Sequence, residues 1–433
     1  MGRIEYKTRL MTEEFLHHLW KYRLFDSSDL KTATGEKIKI IKTGTRNTDA
    51  GPDFFDARVK IGNTLWAGNV EIHVNSSSWK KHNHHNDSAY NNVILHVVYN
   101  DDAAAKTANN NSVQTLSLKN KFDKKLFFRY EKFLKSKLWI PCENQIASVD
   151  EFVKNAWLER LAVERLERKS KIILDDLKLY NNDWSEVFYI HLARNFGLKI
   201  NSEPFVLLAK SLPHSILGKH KDNLFQLESL LFGQAGFLEK QHIEKYASEL
   251  KKEYLFLQKK YSLKPVDAHL WKFLRLRPVA FPTIRISQFA NLIYQSTFLF
   301  SKIIQCENVK DIQKLFSVSA SEFWNIRYTF ETVSAKKTKR LGKDMIQKII
   351  INTLVPFLFV YGKQKGNSVF QERAIKFLEK LPPEKNSITG RFKKLNFKIK
   401  SAMQSQSLLE LKHEYCDKKK CLECAIGNRL LKR

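Results

Sequence analysis

Acidic residues are scarce in this chain: 45 Asp and Glu stand against 74 Lys and Arg in 433 residues, a formal charge of +29. Such an excess attracts polyanions, nucleic acid first among them. Cysteine is also sparse. There are five, an odd number with three packed near the C-terminus, which does not describe a secreted disulfide framework. No long apolar run is present. The most hydrophobic stretch, 349–361, is interrupted by Asn352, Thr353 and Pro356. It falls short of the roughly 20 apolar residues that a bilayer-crossing helix needs, so no membrane is expected. The opening "MGRIEYKTRLMTEEF" carries charges and lacks the apolar segment of a secretory signal. These absences together point to the cytoplasm. Missing too are a Gly-rich phosphate loop of the Walker type and a G-x-S-x-G elbow. No fixed-period repeat marks a solenoid.

What is there is enough apolar material to fold: 43% hydrophobic residues, including 30 Phe and 8 Trp. The fold class expected is α+β, in three regions. Residues 1–120 read as a mixed-sheet α/β domain. "TEEFLHHLWKYRLF" sets Phe15, Leu16, Leu19 and Trp20 on one helical face behind Thr12 as N-cap. "KIKIIKTG", "FDARVKIG", "LWAGNVEIHV" and "VILHVVY" read as strands, and "NDDAAAKTANNNS" as an exposed loop before a last strand "VQTLSL". Residues 121–405 read as a mostly helical domain. Ser148 with Glu151, and Asp183 with Glu186, carry the capping-box spacing. Gly197 closes a helix, Asn201 and Pro204 open the next, and "RLRPVAFPTIR" is a proline-broken loop. Residues 406–433 form a short Cys-rich tail.

One stretch raises a chemical question. Between Gly51 and Val74 an aspartate, Asp53, follows a Gly-Pro turn, and Glu71-Ile72-His73 sits among valines and isoleucines. Residues two apart on a strand share a face, so Glu71 and His73 point together while Val70, Ile72 and Val74 point into a core. The Gly62-Asn63 turn makes the two strands an antiparallel hairpin. Strands lie about 4.8 Å apart, so carboxylates from neighbours can reach one cation. Asp53 and Glu71 then offer the oxygen ligands that Mg²⁺ or Mn²⁺ takes, and such an ion polarises a phosphoryl oxygen and activates water. His73, with an ordinary pKa of about 6.5, is placed to accept a proton near neutrality.

Helix, strand, Pro-Asp, strand, Glu-x-(basic), helix, strand resembles the core of the PD-(D/E)XK nucleases, with Pro52-Asp53 and Glu71-Ile72-His73 at the matching places. The resemblance implies metal-dependent cleavage of DNA or RNA and a helix-borne acid, for which Glu13 is preferred to Glu14. The chain departs from the pattern at His73, where the family carries lysine, and that puts cleavage in question. "GTRNTDAGPDFFDARVKIG", "WAGNVEIHV", "SSWKKHNHHNDSAYNNVILHVVY" and "KKCLECAIG" also resemble a bacterial family known as a domain of unknown function, DUF2851, over nearly the whole chain.

Two rivals stand beside the nuclease reading. One is a nucleic-acid-binding protein that keeps the fold without cleavage. The other is a zinc hydrolase built on His82, His84 and His85, with Asp87 and with His73 or His96. A further metal site is expected at the tail. His413, Cys416, Cys421 and Cys424 give H-x2-C-x4-C-x2-C, which suits zinc, and Cys142 is the alternative fourth ligand. One distant cysteine and three C-terminal ones also resemble the iron–sulfur arrangement of some PD-(D/E)XK nucleases. Nucleic-acid contacts are expected from Arg275, Arg277 and Arg285 around the prolines, and from the basic run Lys336, Lys337, Lys339 and Arg340.

Overall fold

The structure is a computed structural model that describes residues 11–432 apart from 242 and 297. The charged stretch ahead of Met11, in which no signal segment is expected, lies outside the described residues. The chain divides into two units, residues 1–157 with 411–433, and 158–410. The division falls at 157 and 410, where the sequence suggests 120 and 405, so that residues 411–433 of the expected tail group with the first unit and 406–410 with the second.

The first unit begins with helix α1, Glu13–Tyr22, whose N-cap Thr12 accepts the Phe15 N–H. Phe15, Leu16, Leu19 and Trp20 are all fully buried, as their spacing requires. Strands β1 (Leu30–Lys31), β2 (Lys37–Lys42), β3 (Thr45–Arg46), β4 (Phe54–Ile61) and β5 (Thr64–Asn75) follow. A one-turn helix α2 (Ser78–Lys81) leads to β6 (Val93–Asn100), then β7 (Ala105–Lys106), β8 (Ser112–Val113) and β9 (Thr115–Ser117). The sheet runs β1-β2-β4-β5-β6-β9, with β3 also pairing β4. It is mixed: β4 and β5 are antiparallel across the Gly62-Asn63 turn, while β5–β6 and β6–β9 are parallel. Gly62 has φ 56°, a left-handed value that suits glycine.

Two features of this sheet place the site. The first is a bulge in β4 between Phe54 and Ala57, with Asp56 at φ 53°, beside the start of the strand. The second is the change of partner along β5. Thr64 to Gly68 pair with β4, which also meets Val70 through Phe54, and from Asn69 on the strand pairs with β6 in parallel. Parallel strands are usually covered on both faces, and here Val70, Glu71, Ile72 and His73 are all buried. Glu71 and His73 therefore do not lie on an open face.

The segment 101–113 departs from the exposed loop expected of it. It folds into the β7–β8 hairpin, and Ala105 and Val113 join Trp79, Tyr90 and Val93 in a small buried cluster. Further on, α3 (Lys124–Lys135) and α4 (Glu151–Leu179) follow, α4 continuing into the second unit. Ser148 sits in a 3-10 turn with its hydroxyl donating to the Gln145 carbonyl, and Asp150 accepts the Phe152 N–H.

The second unit is helical around one core that extends from Leu166 to Ala402. Asp183 caps helix Trp184–Phe196 through Ser185 N and Glu186 N, and Gly197 ends it. Glu186 does not complete a capping box, because its carboxylate accepts the His214 N–H at 2.9 Å. The proline-rich segment is shorter as a loop than the sequence suggests. Pro282 starts a helix that runs to Gln295, and every residue from Pro282 to Leu292 is buried. The apolar run near Ile349 is likewise longer. Lys343–Gln364 is one helical stretch of 22 residues, long and apolar enough to cross a membrane, with 78% of its apolar window buried inside the protein. A π-turn at Ile350–Leu354 lets the backbone pass Pro356, whose missing N–H would break a regular helix.

Candidate functional site

Glu71, His73 and His96 are gathered by strand register. Glu71 pairs with His96 across β5 and β6, and His73 lies two residues along the same face. Their environment is dry: Glu71 is 6% exposed, His73 2% and His96 0%. His73 Nδ1 is 2.9 Å from His96 Nε2, and His73 Nε2 is 3.1 Å from His82 Nδ1.

The histidine stretch after β5 folds over this face. Trp79, 1% exposed, donates from its indole N–H to the Lys106 carbonyl at 2.8 Å. Its ring packs edge-on to His84 and Tyr90, and His84 stacks on Tyr90 with centroids 3.8 Å apart. His84 is thereby buried, with Nε2 3.3 Å from Glu71 Oε1. His73 Nε2 is 3.6 Å from the same oxygen. His73, His82 and His84 each offer a ligand atom, and all three atoms lie within 4.8 Å of one another. Four ligands held about 2.0–2.2 Å from a tetrahedral ion stand about 3.4 Å apart. The separations of 3.1, 3.3 and 3.6 Å among these groups match that spacing. His84 Nε2 makes no aligned hydrogen bond. The donor set fits a transition-metal ion.

Asp53 closes one end. Its backbone N–H donates to Glu71 Oε2 at 3.0 Å, which ties that oxygen down and leaves Oε1 toward the histidines. Its own Oδ2 accepts the Ile72 N–H at 3.0 Å and lies 2.9 Å from His17 Nε2. Oδ1 accepts from Arg46 Nη1 at 3.2 Å. Burial by itself would raise the Asp53 carboxyl, but the His17 imidazole, the Arg46 charge and the Ile72 N–H outweigh it and hold its pKa below the ordinary value. Glu71 goes the other way. Burial raises it, the neighbouring His84 opposes, and the Asp53 charge raises it further.

His73 does not keep the near-neutral pKa expected of it. Burial first, then repulsion from His96, His84 and His82, push it down to about 3, and burial takes His96 to about 3 as well. A neutral imidazole suits ligation better than general-base work. Of the other expected groups, Glu13 lies one turn before His17, and His17 is the α1 side chain that reaches Asp53. His85 is only partly buried, and Asp87 turns back to accept the Ala89 N–H. His17 and Arg46 escaped sequence reasoning. Arg46 had one signal, its place in the stretch just ahead of Pro52-Asp53.

The four cysteines lie in the first unit, all as free thiols. Cys142 is raised by burial and then by Cys424 and Cys421, and Cys416 by burial and then by Cys424, Cys142 and Cys421. Burial and Cys424 raise Cys421 to about 12, and burial raises Cys424 to about 11. Burial is the first cause in each case, and the group of three ligand atoms within 4.8 Å of one another among the described residues is His73, His82 and His84, with no cysteine in it. His413 is exposed on the π-turn Leu411–Cys416.

The basic residues separate by burial. Arg275, Arg277, Lys336, Lys337 and Arg340 are exposed. Arg285 is buried in helix Pro282–Gln295, and Lys339 is 2% exposed, its Nζ donating to the Asn325 carbonyl and lying 4.2 Å over the Tyr328 ring. Neither presents a free charge to a long polyanion.

No curated protein and no solved structure matches the chain. A family profile described as protein of unknown function (DUF2851) matches residues 13–387, and the chain belongs to that family.

Proposed function

We propose that this member of the DUF2851 family is a metal-dependent hydrolase of phosphodiester bonds in DNA or RNA, with its active centre at Glu71, His73, His82 and His84. The observation that carries the reading is the convergence of Glu71 Oε1 and three imidazoles at the spacing of one ion's ligands. Mixed nitrogen and oxygen donors suit Zn²⁺ or Mn²⁺, whereas Mg²⁺ keeps to oxygen. An ion there supplies charge that polarises a phosphoryl oxygen and makes water acidic enough to attack near neutrality.

The protein's part is positional. His96 orients His73, the Asp53 N–H fixes Glu71, and His17 holds Asp53 in place. Arg46, beside Asp53, supplies a cation for the substrate phosphate. Strand order, with antiparallel β2-β4-β5 followed by parallel β6, supports a nuclease-like core of the PD-(D/E)XK kind. The charge of +29 supports nucleic acid as partner. A Mg²⁺ or Mn²⁺ site on Asp53 and Glu71 is the second reading, favoured by the bond that draws these two residues together.

Cys142, Cys416, Cys421 and Cys424 are proposed as a separate structural metal site for zinc or an iron–sulfur cluster. What supports it is four free thiols in one unit, with Cys142, Cys421 and Cys424 buried and Cys416 half-buried. Anaerobic purification distinguishes a brown iron–sulfur preparation from a colourless zinc one, and absence of both metals would end this part.

The function is tested by incubating metal-depleted protein with single-stranded and duplex DNA and RNA, then adding Mn²⁺, Zn²⁺ or Mg²⁺. Cleavage is expected with Mn²⁺ or Zn²⁺ and not in Glu71→Gln. Binding without cleavage under every metal would favour the non-catalytic reading. Cleavage with Mg²⁺ that survives His84→Ala would favour the Asp53–Glu71 site.

A further inference from the structure

The helical unit contains a cavity of about 390 Å³ between the end of helix Trp184–Phe196, the start of helix Pro282–Gln295 and the Lys343–Gln364 stretch. That is within the range of about 300–1,000 Å³ typical of small-molecule sites. Its polar lining is of one sign: Arg285, Lys199 and Lys348 with the amides of Asn195, Asn201 and Asn352, and no carboxylate among the lining residues. Phe196 and Phe205 supply an apolar wall.

Arg285 is the anomaly. It is 8% exposed, and one nitrogen donates to Gln288 Oε1 at 2.9 Å. Its Nε is buried without a partner. Burial is the sole cause that pulls its pKa down, to about 10, so no acid compensates it. A guanidinium taken out of water is strongly unfavourable unless an anion meets it. The amides do not fill that role. Asn201 brackets the Lys272 backbone, and Asn352 accepts from Lys169 Nζ at 2.8 Å. Lys199 and Lys348 are exposed at the rim.

We propose that this cavity binds a phosphate-bearing small molecule of mononucleotide size, with the phosphate on Arg285, Lys199 and Lys348. A doubly charged phosphate answers three cations better than one carboxylate does, and the free edge of a guanidinium matches its oxygens. The base or other apolar body lies against Phe196 and Phe205. The site is separate from the metal centre, which lies in the other unit, and does not depend on that reading.

Titration calorimetry of the full chain with AMP, inorganic phosphate and citrate tests it. AMP and phosphate should bind, AMP more tightly, with citrate at least about tenfold weaker than AMP. Arg285→Met should weaken AMP by more than about thirtyfold, because it removes the charge that the ligand pairs with. It should not lower the melting temperature, since a buried unpaired cation is lost. Lys348→Ala, at an exposed position, should weaken AMP several-fold and serves if Arg285→Met does not fold. Glu71→Gln should leave AMP affinity unchanged. No heat with AMP or phosphate at millimolar concentration would overturn the proposal. So would affinity indifferent to Lys348→Ala and Arg285→Met, tighter binding of citrate than AMP, or loss of AMP binding in Glu71→Gln.

Discussion

His73 Nδ1 and His96 Nε2 lie 2.9 Å apart on neighbouring parallel strands, so the proposed ligation through His73 Nε2 requires the tautomer in which Nδ1 carries the proton. With Nδ1–H donating to His96, the His73 Nε2 lone pair faces His82 and Glu71. Outer partners of ligating histidines typically alter metal affinity about 10- to 100-fold. His96→Ala should therefore weaken Zn²⁺ or Mn²⁺ binding within that range while Glu71, His82 and His84 stay in place. Competition with a chromophoric chelator measures it, and unchanged affinity would deny His96 the orienting role.

Trp79 holds the histidine segment down. Its ring centroid is 5.4 Å from His84 and 5.1 Å from His96, and it is almost fully buried. Trp79→Ala should cost about 3–5 kcal/mol in urea unfolding and release His84 from Glu71. Metal affinity should fall with it. A variant that unfolds earlier yet binds metal as before would show that His84 does not need the Trp79 cluster.

Much of the first unit is legible in the sequence. The alternation around Glu71 and His73 fixes their common face, Thr12 and the apolar stripe fix α1, and Gly62 fixes the hairpin turn. What is not legible is the covering of that face. Of "WKKHNHHND", only Trp79 and His84 are buried, and that burial comes from Tyr90 and the later Ala105 and Val113, contacts that no local pattern announces. His17 is missed for a related reason: it lies beside the apolar stripe of α1 and reaches Asp53 only once the helix packs on the sheet. Arg285 shows the opposite error. The prolines suggest a loop, but Pro282 occupies the first turn of a buried helix, where a proline costs no hydrogen bond.

Lys169 gives a pH signature in the helical unit. It is half-buried and donates to Asn352 Oδ1, and desolvation first, then Arg165, lower its pKa to about 7. An unfolded lysine titrates near 10.4, so between about pH 7 and 10 the unfolded chain holds the extra proton. The contribution of this group to stability should therefore rise with pH across that window. Lys169→Met should flatten the rise in denaturant midpoints measured from pH 7 to 10. A slope identical in wild type and variant would mean that Lys169 titrates normally.

Exposed cations should set the salt response of nucleic-acid binding. Removing one cation that touches a phosphate should reduce the slope of log K against log salt by about 0.7–0.9. Lys336→Gln, Lys337→Gln and Arg340→Gln together should make the slope shallower, whereas Lys339→Gln should change stability more than slope, given its contacts to Asn325 and Tyr328. Fluorescence anisotropy over a salt series decides this. Equal effects from Lys339 and its exposed neighbours would contradict the separation by burial.

The most direct measurement is anomalous diffraction from crystals of the full chain soaked in Mn²⁺ or Zn²⁺. One peak is expected about 2.0–2.2 Å from Glu71 Oε1 and from one nitrogen each of His73, His82 and His84. The peak should vanish in His84→Ala. A peak held by Asp53 and Glu71 with the histidines turned away, or no peak on this face of β5 at saturating metal, would contradict the account.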